Sequence, residues 1–89
     1  MLVAYTNLSH TEASQVCPVL ELDGRNVQLR VSTPNHIGNA VKIEVNDTMS
    51  LGEVCYCRPE GDGYVVWVEL VQALHHVDEL SRLARALLT

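Results

Sequence analysis

Alternation at a period of two dominates the first three quarters of the chain, and it restricts what the chain can become. In a strand, successive side chains point to opposite faces, so such a pattern gives each segment one face for a core and one for the outside. Leu2 to Tyr5 is a short strand by this reading, and Asn7-Leu8-Ser9-His10-Thr11 supplies turn formers. Val16 to Leu22 is a second strand, whose Pro18 must sit at an edge, a bulge or a strand start because it has no N–H to give a ladder. Asp23-Gly24 then marks a tight turn into Asn26 to Val31, where Val27, Leu29 and Val31 share a face. Ser32 to Asn39, with Pro34, Asn35 and Gly38, reads as a loop.

The pattern resumes in Ala40 to Val45, with Val41, Ile43 and Val45 on one side and Lys42 and Glu44 on the other. After the Asn46-Asp47 turn comes Leu51 to Arg58, then a loop of hairpin composition from Pro59 to Gly63. In Tyr64 to Leu70, Tyr64, Val66, Val68 and Leu70 occupy one face, and Val65, Trp67 and Glu69 the other. A strand apolar on both sides belongs in the middle of a sheet or under a cover. Beyond it the period changes. Val77, Leu80, Ala84 and Leu87, widened by Leu83 and Leu88, form the stripe of an amphipathic helix over about 77–88, with Asp78 as N-cap and Glu79 in its first turn. Hairpin-linked strands followed by one helix predict an all-β domain with a C-terminal α-helix. A small six-stranded antiparallel barrel is the favoured closure because it hides sheet edges; a two-sheet sandwich is the alternative.

Composition narrows the function classes. With 89 residues there is room for one domain and one thin core. Phe is absent, so the core must be built from aliphatic residues. Charged residues are only 19% of the chain, which favours a surface partly covered by a partner, and a homodimer is expected. The net charge of −5 disfavours nucleic acid and anionic membranes, both of which are bound through cations. No apolar run approaches the roughly 20 residues of a membrane span, and no basic residue precedes the first apolar stretch as in a secretory leader. Three cysteines without a secretory context read as reduced thiols of a cytoplasmic protein.

The second half of the chain resembles a PilZ domain. The likeness rests on Gly38 ahead of Ala40-Val41-Lys42-Ile43-Glu44-Val45, on Leu51-Gly52-Glu53-Val54, and on Gly63-Tyr64-Val65-Val66-Trp67-Val68-Glu69-Leu70, with Trp67 where the family usually has glycine. It spans roughly residues 24–74. The resemblance implies a six-stranded barrel and cyclic diguanylate as ligand, recognised by an Arg-x-x-x-Arg pair and a downstream Asp/Asn-x-Ser-x-x-Gly motif. Asn7-Leu8-Ser9-His10-Thr11-Glu12 supplies the Asn and the Ser, with Glu12 in place of the glycine. No Arg precedes Arg25, and Arg25 with Arg30 has the wrong spacing for the first motif. Arginine serves such a ligand twice, through bidentate phosphate contacts and by stacking on guanine. The chain is therefore expected not to bind cyclic diguanylate in the family's usual way. The alternative is a nucleotide sensor that uses Asn7, Ser9 and Arg30 and takes its arginines from a second subunit.

Other constellations read as structural. Cys55-Tyr56-Cys57 on a strand puts two thiols on one side, in core or half-buried positions, without the turn that lets paired cysteines converge on zinc. Cys17 reads as a further buried thiol. His75-His76 precedes the helix as solvated or capping histidines, and His10 and His36 lie in loops. Neither a nucleophile motif nor a phosphate-cradling glycine loop is present, so no enzyme, metal or cofactor is expected. The expectation is a regulatory or protein–protein interaction module, in which Trp67 and the helical Leu80, Leu83 and Leu87 make the contacts.

Overall fold

The computed structural model describes residues 1–10 and 14–74. The amphipathic segment 77–88, with Leu80, Leu83 and Leu87, and the pair His75-His76 lie outside the described residues, as does Glu12. The described chain contains the strands β1 (Leu2–Asn7), β2 (Gln15–Asp23), β3 (Asn26–Val31), β4 (Ala40–Val45), β5 (Thr48–Glu60) and β6 (Gly63–Leu74). They close into an antiparallel barrel in the order β1-β2-β3-β6-β5-β4. Two meanders, β1-β2-β3 and β4-β5-β6, are sewn together by the long-range pairs β3–β6 and β1–β4. The barrel therefore has neither the sandwich alternative's two sheets nor a continuous open edge.

Hairpin chemistry sets the register. The loops Gly24-Arg25, Asn46-Asp47 and Gly61-Asp62 each hold their first residue at positive φ. Glycine and asparagine are the residues that adopt this conformation at least cost. The apolar faces then converge as the alternation requires. Val3, Tyr5, Cys17, Val27, Leu29, Val31, Val41, Ile43, Val54, Val66 and Val68 form one buried cluster, with Val19, Val45, Cys57, Tyr64 and Leu70 packed around it. Each fully buried aliphatic side chain contributes about 1.5–3 kcal/mol of transfer free energy. β6 lies between β3 and β5, the central place its two apolar faces call for.

Three irregularities shape the outside. β2 bulges between Val19 and Glu21, and β5 shifts register between Leu51 and Gly52 and again between Val54 and Tyr56. The last of these corrects the sequence reading of Cys55 and Cys57. The bulge puts Cys55 and Tyr56 both on the outer side, so Cys55 is exposed while Cys57 is half-buried against the core. An inserted residue breaks the period of two, and the two thiols end on opposite sides of the strand. Beyond Glu53, β5 loses β4 as a neighbour. Val54 still bonds Gly38 and Asn39 of the β3–β4 connection. Past it the edge has no partner strand among the described residues, and it carries the bulge and Pro59, both of which discourage edge-to-edge pairing.

Candidate functional site

The residues singled out by the partial ligand motif fall on two separate parts of the barrel. Asn7 ends β1 and is only 2% exposed. Its Nδ2 donates to Asn35 Oδ1 at 2.7 Å and to Asn39 Oδ1 at 3.0 Å, and its Oδ1 accepts the Ser9 backbone N–H at 2.9 Å. Tyr5 Oη donates to the same Asn35 Oδ1 at 2.9 Å. Ser9 Oγ accepts the Ala40 backbone N–H at 2.9 Å. These contacts draw the β3–β4 connection over one end of the barrel, with the buried Asn35 as a plug. Removing a partner from such a network leaves a buried polar group unsatisfied, at about 1–3 kcal/mol. Asn-x-Ser here closes a barrel end and pins β1 to β4.

Arg30 lies elsewhere, on the outer face of β3. Its guanidinium donates from Nη2 to the Glu60 carbonyl at 3.0 Å, sits 3.5 Å from Asp62 Oδ1, and reaches Glu60 Oε1 from Nη1 at 3.7 Å. Two carboxylates of the β5–β6 hairpin thus already face the cation. Arg30 borders a groove of about 320 Å³ lined also by Gln15, Pro18, Ser32 and Asp62. The groove exists because β2 and β3 part company there. Their ladder begins only at the Val19–Leu29 pair, and Pro18 has no N–H to extend it. The Gln15 side chain spans the gap instead, accepting from the Ser32 N–H and hydroxyl at 2.9 Å each and donating to Thr33 Oγ1 at 3.3 Å. Strands β1 and β3, which carry Asn7 and Arg30, are not neighbours in the barrel.

Trp67 stands on the outside of β6, partly covered. Its ring lies 5.1 Å from Tyr56 at a tilt of 53°, and the Arg58 guanidinium carbon sits 5.3 Å over it. Arg58 in turn holds Glu60 Oε2 at 3.1 Å. The bulge at Cys55 creates this pair, because it sets Tyr56 directly opposite Trp67. Alternation puts Trp67 on the face opposite Val66 and Val68, but does not reveal Tyr56 and Arg58 as its companions. The signal was hidden, since without the bulge Tyr56 alternates onto the inner side.

A second outer feature is apolar. Leu2 pairs with Pro18 and Ala4 with Val16 across β1 and β2. Leu2 is 64% exposed, Val16 73% and Leu20 49%. Together they make a strip of aliphatic side chains facing solvent. Alternation in Val16 to Leu22 does not by itself say which face turns outward, so the strip is not legible in the sequence.

Comparison with protein-family models, with curated proteins and with solved structures gives no match. The site is therefore read from its own chemistry.

Proposed function

We propose that this barrel is a non-enzymatic, PilZ-like regulatory or protein–protein interaction module that does not bind cyclic diguanylate in the manner usual for that family. The observation that carries the reading is the strip of Leu2, Val16, Pro18 and Leu20, aliphatic side chains held outward on a closed barrel. Covering such a strip with another protein surface removes apolar area from water at about 25 cal/mol per Å². Homodimerisation is the simplest way to cover it, since one patch then serves both partners. Trp67 and the stripe of Leu80, Leu83 and Leu87 are the further contact residues in this reading.

The polar residues of the partial ligand motif support the same conclusion. Asn7 is occupied by Asn35, Asn39 and Ser9, and Arg30 by Glu60 and Asp62. A phosphate approaching Arg30 would meet two carboxylates before it met a free cation. The competing reading, a nucleotide sensor completed by a second subunit, draws on the groove beside Arg30. It requires those ion pairs to open.

Light scattering tests the self-association. The native chain is expected to run as a dimer, and Val16→Glu, which puts a charge in the middle of the strip, to shift it toward monomer. A 9.9 kDa species independent of concentration would rule the dimer out.

A further inference from the structure

Strand register arranges the outer face of β2-β3-β6-β5 in rows. One row holds Asp23, Asn26, Glu69 and Glu53, each directly opposite the next. The adjacent row holds Glu21, Gln28, Trp67 and Tyr56. A third holds Arg30, Val65 and Arg58. The cations of the third row are engaged by Glu60 and Asp62. The carboxylates of the first two rows are not. Glu21, Asp23, Glu53 and Glu69 are all exposed, and none makes an ion pair with a described residue. Glu53 and Glu69 face one another across the ladder, a like-charge pair that weakens the sheet by itself.

Between these rows lies a cleft of about 150 Å³, floored by Trp67 and Val27 and walled by Glu21, Asp23, Asn26 and Gln28. Its size is below the roughly 300 Å³ at which small-molecule pockets begin, so it fits one long side chain better than a nucleotide. Its chemistry is that of a cation receptor. An indole ring attracts ammonium or guanidinium groups through its π-face, and two carboxylates stand beside it to accept hydrogen bonds. Arg58 shows within the chain that this indole accepts a guanidinium neighbour.

We infer that the Trp67 cleft docks an arginine- or lysine-bearing segment of a partner protein, with the cationic head beside the indole and between Glu21 and Asp23. The inference rests on the reading of the protein as an interaction module and gives that module a partner of stated chemistry. Complementary charge steers such a partner toward a chain of net charge −5 and sets its register against the acidic rows. The mirror-image partner, an acidic segment, would face four carboxylates that have no ion-pair partner among the described residues.

Trp67 is the only tryptophan of the chain, so its fluorescence reports the cleft directly. A blocked hexa-arginine peptide titrated into the full chain is expected to change the emission saturably, with affinity falling as salt rises. Glu21→Gln combined with Asp23→Asn should weaken binding about three- to tenfold. Calorimetry on Trp67→Leu, with circular dichroism to verify the fold, should show about a tenfold loss. Removing the same charge elsewhere, by Glu44→Gln with Asp47→Asn, should leave the affinity unchanged. Equal weakening by both charge-removing pairs would mean that net charge alone binds the peptide, and would overturn the proposal. So would the absence of saturable binding, or tighter binding of hexa-glutamate. The β1–β2 strip is a separate face. A monomeric chain that binds the peptide sinks the dimer and spares the cleft, and a dimer that ignores the peptide does the reverse.

Discussion

Cys17 and Cys55 are the same residue type placed in opposite surroundings. Cys17 points into the barrel and is 2% exposed, and burial raises its pKa from an ordinary 9.0 to about 11. The neutral thiol is the form the core tolerates. In the unfolded chain the group ionises first, so between pH 9.0 and about 11 the folded chain binds more protons than the unfolded one. Stability therefore falls as pH rises through that window, by about 2–3 kcal/mol when both states are ionised. Cys17→Ala lacks this term. Urea titrations at neutral and alkaline pH should find the stability advantage of native over variant shrinking with pH, and a constant difference would contradict the assignment. Asn7 teaches a similar lesson at the same scale. Its identity in the sequence matches a ligand motif, but its neighbours Asn35, Asn39 and Ser9 occupy both ends of its amide.

At the scale of elements, β5 carries most of the departure from regularity. Its ladder with β6 shifts register twice, with Val71 of β6 skipped at the first shift and Cys55 of β5 at the second. Gly52, beside the first shift, is needed because the backbones come close. A Cβ there would stand 2.7 Å from both the Glu69 carbonyl oxygen and Val68 Cγ1. Gly52→Ala is expected to cost about 1–3 kcal/mol in urea denaturation, since backbone must move to admit the methyl group. A neutral effect would mean that the β5–β6 ladder is looser than its register indicates. The second shift has the functional consequence. By turning Tyr56 outward it sets that ring beside Trp67, over which the Arg58 guanidinium also lies.

The described residues form a closed barrel with a core of Val, Leu, Ile, Tyr and Cys17 and with their charges sorted on the outside. Acidic excess and engaged arginines act together against an anionic ligand. Cyclic diguanylate is expected to leave the melting temperature unchanged. A ligand that bound the native state alone would add about 2.7 kcal/mol at a hundred times its Kd. For a domain of this size that is a rise of several degrees, well within what a thermal-shift measurement resolves. Such a rise would favour the sensor reading.

Sequence alone determined the strands, the hairpin turns between them and the inward faces of β3 and β4. All of these follow from local rules, namely side-chain alternation and the residues that tolerate positive φ. The pairing of Val27 with Val68 and of Tyr5 with Ile43, which closes the barrel, joins segments far apart in the chain. So do the ion pairs of Arg30 and the plugging of the barrel end by Asn35. Only the tertiary structure decided these, because no local period records which distant strand will be a neighbour. It also decided the bulge at Cys55. One residue without a ladder partner reverses the faces of those that follow, and the cost or gain of that reversal is settled by the partner strand.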